Sequence, residues 1–193
     1  MEKGKVIILD GCPSSGKTTI AEEIQASIGD PYLYAGIDTF VHMIPENWIS
    51  FSSELNKVKG IEFIFSTDEG GKSMIKLGVN PTVEKLVRGY VNAIKGLAEA
   101  GNNVIADGVI TKKEWFDYIK ETFDDLTTCY VGLYAPLEVL EKRESARWDL
   151  DGQARGHFKE VYELQKEYDL FIDTSETTVL SAAKTIIDFM KRS

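Results

Sequence analysis

Cysteine is scarce in this sequence, and its scarcity excludes two kinds of site. The chain has two cysteines, Cys12 and Cys129, and two histidines among 193 residues, with no Cys-x-x-Cys pair. A disulfide framework and a zinc site both need more of these residues at closer spacing, so neither is expected. Cys12 falls inside the phosphate-binding motif described below, where it is either an oxidisable regulatory thiol or a tolerated small residue.

Basic residues are also in deficit. Lysine and arginine number 22 against 31 aspartates and glutamates, which gives a formal net charge of −9. General binding to nucleic acid or to an anionic membrane requires clustered cations that neutralise phosphates, so neither is expected as a partner. A phosphate site built locally from backbone N–H groups does not depend on that overall charge.

Long hydrophobic runs and low-complexity segments are missing as well. No stretch approaches the roughly 20 apolar residues of a transmembrane helix. The N-terminal apolar run is too short for a signal peptide and has no small-residue cleavage site after it, so we expect a cytoplasmic protein. No repeat or linker interrupts the sequence, whose 193 residues suit one domain over 1–193. Nothing in it indicates an oligomeric state.

What the sequence does contain is a phosphate-binding motif near its start. Residues 6–9 form a short apolar run typical of a buried parallel strand, and the pattern Gly-x-x-x-x-Gly-Lys-Thr follows at 11–18. The glycines let the backbone curl, so that its N–H groups cradle a phosphate at the start of the next helix. In such loops the lysine reaches the terminal phosphates and the threonine hydroxyl ligates Mg²⁺. The motif therefore predicts a site for ATP and Mg²⁺ made of Gly11, Cys12, Pro13, Ser14, Ser15, Gly16, Lys17, Thr18 and Thr19.

Two further predicted strands each end at an aspartate. Residues 32–37 precede Asp38, and residues 103–106 precede Asp107. Because the carboxyl ends of strands in an open α/β sheet face the ligand crevice, both carboxylates are expected beside the phosphates. Asp107 is predicted to hold Mg²⁺, directly or through water. Asp38 is predicted to be catalytic, and capping a short helix over 39–44 is its alternative or additional role.

The region between these strands has no regular period at first and then a hairpin pattern. Residues 45–59 are interpreted as a substrate wall or, equally, as core filler. Two apolar segments, 60–65 and 72–77, flank the turn sequence Asp-Glu-Gly-Gly and predict an inserted β-hairpin. The apolar side chains of the irregular stretch are Trp48, Ile49, Phe51 and Leu55.

A later predicted helix carries Arg143 and Arg147 four residues apart, and hence on one face. Segment 148–156 follows with two glycines and Arg155, the composition of a mobile lid. Arginines that enter a lid over a phosphate loop can stabilise a phosphoryl group in transfer, so Arg143 and Arg147 are predicted catalytic residues together with Lys17. Their alternative role is in a solvated helix face, paired with the glutamates of the same helix.

The rest of the pattern alternates apolar strands with amphipathic helices. This alternation predicts an α/β fold of the P-loop NTPase type, with a five-stranded parallel sheet, helices on both faces, an inserted hairpin and an arginine-bearing lid. The predicted helices are 17–28, 81 to a glycine cap at 101, 112–122, 136–147, 158–168 and a last one ending at 190, and the further strands are 127–135 and 170–173.

Several of these segments together resemble a known family, the chloramphenicol phosphotransferase-like proteins, which are small P-loop kinases with a core of the nucleoside-monophosphate-kinase type. The resemblance implies ATP-dependent phosphorylation of a hydroxyl on a small molecule, with chloramphenicol as one candidate acceptor. It also implies that Asp38 is the base and that Arg143 and Arg147 are lid arginines. The sequence departs from the family's usual pattern at Leu150, where an arginine is usual, and from its antibiotic-modifying member at Gly108, where that member has a second aspartate. The matching segments are 6–18, Gly36-Ile37-Asp38-Thr39-Phe40 with Pro45, Gly60-Ile61-Glu62-Phe63, 100–107, Arg143-Glu144-Ser145-Ala146-Arg147-Trp148-Asp149, Tyr168-Asp169 and Asp173-Thr174.

Two other functions stay open at this point. A nucleoside or nucleotide kinase would need polar groups that read a base, and the apolar residues of 43–65 offer few. An NTP-dependent binding module or switch is the other alternative. The sequence Asn56-Lys57-Val58-Lys59 lacks the aspartate of the guanine-reading Asn-Lys-x-Asp signature and lies in the wrong part of the chain.

Overall fold

The structure is a computed structural model that describes residues 2–54, 59–147 and 151–192. Within these ranges the strands are β1 (Val6–Gly11), β2 (Tyr32–Gly36), β3 (Ile49–Ser52), β4 (Ile61–Thr67), β5 (Ser73–Gly78), β6 (Asn103–Gly108), β7 (Thr128–Tyr134) and β8 (Leu170–Asp173). The helices are α1 (Lys17–Ser27), α2 (Ile37–Val41), α3 (Pro81–Glu99), α4 (Lys113–Thr122), α5 (Leu137–Ser145), α6 (Gln153–Tyr162) and α7 (Val179–Met190), with a 3₁₀ turn at Glu46–Trp48.

The central sheet has five strands in the order β2-β6-β1-β7-β8, and every pairing is parallel. This confirms the predicted five-stranded parallel sheet. β1 lies in the middle, so the phosphate loop that follows it emerges from the centre of the sheet edge. The register pairs Gly36 with Asp107, which brings the ends of β2 and β6 together at that same edge.

Helices cover both faces of this sheet, as predicted. Ile7 and Leu9 point into a core shared with α1 and α7, whereas Val6 and Ile8 point into the opposite core with α3 and α4. This alternation explains why β1 reads as a continuous apolar run, since both of its faces are buried. Burial of one such side chain contributes about 1.5–3 kcal/mol, so the strand that carries the loop is firmly fixed.

The inserted hairpin is confirmed and belongs to a second sheet of three strands, β3-β4-β5. β4 and β5 are antiparallel, and Asp68 closes their turn by accepting hydrogen bonds from the N–H groups of Gly70 and Lys72. β3 lies inside the stretch without a regular period and pairs in parallel with β4. The sequence does not predict it, because a four-residue strand shows no period of its own. Leu55 lies outside the described residues, and so do residues 56–58, which were compared above with the guanine-reading Asn-Lys-x-Asp signature.

The last residues of segment 148–156, which the composition predicts to be a lid, belong to a helix. Helix α6 begins at Gln153, not at 158, and ends at 162, not at 168. Its glycines serve close packing, because a Cβ on Gly156 would lie 2.1 Å from the carbonyl oxygen of Ile75 on β5. Gly152 has a positive φ of 109° and accepts a hydrogen bond from the Ile75 N–H. Trp148, Asp149 and Leu150 lie outside the described residues.

Candidate functional site

The phosphate loop joins β1 to α1 in a conformation that only some residues tolerate. Gly16 has φ of 92°, and Ser14 also lies in the left-handed region with φ of 65°. For a residue other than glycine that region costs on the order of 1–3 kcal/mol, and such strain is typical of functional loops. At Gly11 a Cβ would lie 2.6 Å from both the Leu133 carbonyl oxygen and the Ser15 hydroxyl, so only glycine fits the start of the loop.

Two side chains of the loop suit a phosphate ligand. The Lys17 ammonium donates to the carbonyl oxygens of Gly11, at 2.8 Å, and Cys12, at 3.0 Å, so it lies across the mouth of the loop. The Ser15 hydroxyl is buried and has no hydrogen-bond partner among the described residues. A buried orphan hydroxyl beside a lysine inside a cradle of backbone N–H groups fits a phosphate oxygen.

The two predicted metal ligands lie near each other. The Tyr34 hydroxyl donates to Asp107 Oδ2 at 2.9 Å and lies 3.4 Å from the Thr18 hydroxyl oxygen. Burial raises the pKa of the Asp107 carboxyl, while the Lys17 charge and the Tyr34 hydrogen bond oppose that rise. Burial likewise raises the pKa of Tyr34 to about 12, so its hydroxyl is a donor at neutral pH.

This donor set fits Mg²⁺ bound to a nucleotide. A hydroxyl and a carboxylate are hard oxygen ligands, and Mg²⁺ usually takes only one or two protein carboxylates while phosphates and waters complete its shell. Within the described ranges no group of three or more histidine, cysteine, aspartate or glutamate side chains is placed to hold an ion. Thr18 and Asp107 therefore suit a cation that arrives with its own phosphate ligands.

Asp38 lies in the first turn of α2, directly after the end of β2. The prediction that it caps this helix is wrong, because Gly36 occupies the N-cap position and the Ile37 N–H donates to Asp107 instead. The Asp38 side chain is exposed and borders the same cavity as the phosphate loop. His42, which caps the C-terminal end of this helix, borders that cavity too.

This cavity brings most of the predicted site residues together. Its volume is about 650 Å³. It contacts the loop at Pro13, Ser14, Gly16, Lys17 and Thr18, and it also contacts Asp38, Asp107 and Arg147. One wall is aromatic, because Phe51 and Phe63 stack with ring centroids 5.0 Å apart and both border the cavity. The substrate-wall interpretation of residues 45–59 thus gains support at Ile49 and Phe51, whereas Trp48 does not border the cavity.

A smaller pocket of about 180 Å³ opens beside Asp38 and continues the cavity inwards. Asp38, Val41 and Phe63 border both spaces. Most of its other walls are aliphatic or aromatic, and its polar groups include Gln153 and His157. His157 Nε2 accepts a hydrogen bond from the Leu77 N–H, and burial lowers its pKa, so this ring is neutral.

The two predicted lid arginines have different surroundings. Arg147 is exposed and borders the main cavity. Arg143 turns towards the back of the phosphate loop, where its guanidinium donates to the Ser14 carbonyl at 3.4 Å. It also donates to the Thr174 hydroxyl at 3.0 Å and to the Thr174 carbonyl at 2.7 Å. Arg143 thereby ties the loop to the segment after β8.

The glutamates expected to pair with these arginines contact other groups. Glu144 is buried and accepts hydrogen bonds from the N–H groups of Gly152 and Ala154, both at 2.9 Å. It therefore joins the two ends of the connection between α5 and α6. Glu141 pairs with Arg155, which also forms a 2.7 Å ion pair with Asp68 in the hairpin turn. Arg155 thus anchors the hairpin and is not a cavity residue.

Sequence reasoning missed a buried ion pair directly before the phosphate loop. Lys166 donates to Asp10 Oδ2 at 2.6 Å, and the Tyr168 hydroxyl donates to the same oxygen. Asp10 Oδ1 accepts from the Ile110 N–H. The position of Asp10, one residue before Gly11 in an apolar strand, is the signal that could have found this pair.

Cys12 is part of the packing around the phosphate loop. Its Sγ donates to the Ala154 carbonyl at 3.2 Å, and its N–H donates to the Tyr162 hydroxyl. Burial raises the pKa of the Cys12 thiol to about 12. Since the thiolate is the reactive form, the structure favours a structural small residue over a regulatory cysteine.

A phosphate loop follows the central strand of a parallel sheet, and the segment after β7 carries Arg143 on α5 and Arg147 just beyond it. This arrangement is that of the P-loop kinases. The comparisons with known proteins are consistent with this class and identify the family. The chain belongs to the chloramphenicol phosphotransferase-like protein family, whose model matches residues 4–191. The protein is therefore a phosphotransferase.

Individual relatives share less than a third of their residues with this chain. The chain is 28% identical over 189 residues to the candidate O-phosphotransferase Rv2636 of Mycobacterium tuberculosis strain H37Rv, covering 96% of this chain and 82% of that protein. It is similar in structure to the M. tuberculosis APS kinase CysC in complex with AMPPNP and APS, with TM-score 0.67, 15% identity and full coverage of both chains. A sugar kinase from Janibacter sp. HTCC2649 has TM-score 0.66 and 18% identity, covering 96% of this chain and 95% of its own. These structural similarities show the fold.

Among the described residues, no helix is both long enough and apolar enough to span a bilayer.

Proposed function

We propose that this protein transfers the γ-phosphoryl group of ATP, with Mg²⁺, to a hydroxyl of a small molecule that carries an apolar group. The observation that carries the proposal is the shared cavity: the phosphate loop, Asp38, Asp107 and Arg147 all border one space of about 650 Å³. Transfer requires donor, acceptor and charge-stabilising groups within a single water-poor space.

The loop end of the cavity binds the nucleotide. Backbone N–H groups of residues 11–18 hold the β- and γ-phosphates at the N-terminus of α1, and Lys17 moves from its carbonyl partners onto the terminal phosphates. Thr18 and Asp107 would hold Mg²⁺. When bound, this ion neutralises charge that develops on the phosphate oxygens.

Asp38 orients the acceptor. A new bond forms between the acceptor oxygen and the γ-phosphorus, the bond from that phosphorus to the bridging oxygen breaks, and ADP leaves. Asp38 accepts the proton of the acceptor hydroxyl late in the step. In a loose transition state orientation matters more than basicity, so an ordinary carboxylate is sufficient.

Arg147 and Arg143 have different surroundings and are therefore assigned different roles. Arg147 borders the cavity and stabilises negative charge on the transferring group. Arg143 contacts the backbone of Ser14 and therefore acts as a positioning residue for the phosphate loop. Both assignments are consistent with one site at the edge of the sheet.

The inner pocket supports the choice of acceptor. A dry cavity of about 150 Å³ lined by aliphatic and aromatic side chains accommodates benzene. The pocket beside Asp38 has a volume of about 180 Å³ and mostly apolar walls, so it suits one ring-sized apolar group next to the reacting hydroxyl. A nucleoside acceptor would need several polar groups to read its base, and the walls of this pocket are mostly apolar.

The proposal is tested by incubating the protein with Mg-ATP and a panel of alcohols that includes chloramphenicol, aminoglycosides and nucleosides. Mass spectrometry detects a gain of one phosphate on the acceptor. We expect an adduct on an alcohol with an apolar group and none with the Lys17→Ala variant. Adducts on nucleosides alone would favour the nucleoside-kinase alternative, and ATP binding without any adduct would favour a binding module.

A further inference from the structure

We propose that Tyr34 is a positioning residue for the divalent cation of this site, because its hydroxyl holds the Asp107 carboxylate beside the Thr18 hydroxyl. The inference rests on the proposed function, since it concerns the same nucleotide site. It extends that function to a residue outside the phosphate loop that neither the motif nor the strand-end pattern predicts.

The contact geometry is the first observation. The Tyr34 hydroxyl donates to Asp107 Oδ2 at 2.9 Å, a normal hydrogen bond, and has a longer contact of 3.4 Å to Thr18 Oγ1. A phenol has one proton, and the carboxylate receives it because hydrogen bonds to a charged acceptor are the stronger ones. One hydroxyl therefore connects the two side chains assigned to the cation.

The backbone around this contact is built to permit it. Tyr34 and Gly36 lie on the same face of β2, and Gly36 pairs in register with Asp107. A Cβ on Gly36 would lie 2.8 Å from the Tyr34 hydroxyl oxygen and 2.9 Å from Asp107 Oδ1. Any larger residue at 36 would push these two groups apart, so the glycine leaves the space in which they meet.

A second tyrosine fixes the backbone of the carboxylate from the other side of the sheet. The buried Tyr90 hydroxyl lies 2.8 Å from the carbonyl oxygens of both Ala35 and Asp107, and so joins the ends of β2 and β6. With the main chain fixed in this way, the rotation of the Asp107 side chain is the remaining freedom. The hydrogen bonds from the Tyr34 hydroxyl and from the Ile37 N–H restrict that rotation, and the Tyr34 bond is the one that a side-chain substitution removes.

Carboxylates that hold a metal ion directly or through water are generally oriented by such outer hydrogen bonds, and loss of one typically costs about 10–100-fold in metal affinity. We therefore expect Tyr34→Phe to weaken Mg²⁺ binding to the protein–nucleotide complex roughly 10-fold. Nucleotide affinity without Mg²⁺ depends on the loop and Lys17, so it is expected to stay unchanged.

The experiment measures the affinity for the non-hydrolysable analogue AMPPNP by calorimetry, once in EDTA and once across a Mg²⁺ titration. Wild type, Tyr34→Phe and Tyr118→Phe are compared. Tyr118→Phe is the matched control, because it removes a tyrosine hydroxyl that bonds to Asn92 on the α3–α4 side, away from the phosphate loop. Thermal melting checks that each variant is folded.

The expected result is a rightward shift of the Mg²⁺ midpoint of about 10-fold in Tyr34→Phe only, with equal affinities in EDTA. An unchanged midpoint overturns the inference, and so does a tighter one, which would mean that the hydroxyl obstructs the ion. If the wild type binds AMPPNP equally with and without Mg²⁺, the assigned metal site fails and this inference fails with it. If the wild type does not bind AMPPNP at all, the proposed function itself fails.

Discussion

Lys166 and Asp10 form an ion pair at 2.6 Å in which both side chains are buried, one residue before the phosphate loop begins. Lys166 also donates to the Ile110 carbonyl, while Asp10 accepts from the Ile110 N–H and from the Tyr168 hydroxyl. The pair thus connects the end of β1 with the segment after β6 and the segment before β8. These hydrogen bonds make burial of both charges tolerable.

Removing one partner of this pair is expected to be costly. Lys166→Met leaves the Asp10 carboxylate buried without its cation, which typically costs about 3–5 kcal/mol of unfolding free energy. Urea unfolding of the variant measures this loss. The double variant Asp10→Asn/Lys166→Met is expected to regain much of it, because no buried charge remains. A loss well under about 1 kcal/mol in the single variant would contradict the role given to the pair.

Gly156 is expected to reject even one methyl group. Gly156→Ala places a Cβ 2.1 Å from the Ile75 carbonyl oxygen, so α6 must move away from β5, at a cost of about 1–3 kcal/mol. Gly96→Ala is the matched control, since that helix glycine is exposed and its Cβ would meet nothing within 4 Å. The control is expected to stabilise α3 by about 0.5–1 kcal/mol. Similar denaturation midpoints for the two variants would count against the close packing.

Both cysteines are expected to be unreactive in the folded protein. Burial raises the pKa values of the Cys12 and Cys129 thiols to about 12, so at pH 8 both stay protonated as well as shielded. Ellman's reagent is expected to label neither thiol until denaturant is added and then to label both. Rapid labelling of Cys12 under native conditions would restore the regulatory-thiol interpretation.

Arg147 is expected to act on catalysis more than on binding. Arg147→Gln removes a cation that borders the cavity, and loss of a group that stabilises transition-state charge costs about 10²–10³-fold in turnover. Lys142→Gln changes the net charge equally at an exposed position on α5, the helix that ends just before Arg147, and serves as the control. Steady-state kinetics distinguishes the two variants. Equal turnover in both would remove Arg147 from the mechanism.

The sequence could predict those parts of the fold and site that depend on local patterns. The phosphate loop is contiguous, and Asp107 follows an apolar strand, so their places at the sheet edge follow from the geometry of parallel strands. Asp10 and Lys166 are separated by 156 residues, and no local pattern reveals such a contact. The Tyr34 contact to Asp107 likewise depends on which strand lies beside which.

The errors have equally specific causes. The glycines at 152 and 156 give segment 148–156 the composition of a lid, yet glycine also lets a helix approach a strand backbone, and a Cβ at either position would lie within 3 Å of the β5 backbone. β3 escaped detection because its four residues are stabilised by pairing with β4 and not by a pattern of their own. Composition alone does not separate these alternatives.

The central claim is that Asp38 aims an alcohol at the terminal phosphate held by residues 11–18. The most direct measurement is the turnover of Asp38→Asn with Mg-ATP and the acceptor that the alcohol panel identifies, set beside its affinity for AMPPNP. We expect turnover to fall about 10²-fold or more while the affinity stays close to that of the wild type. Turnover equal to that of the wild type would contradict the account.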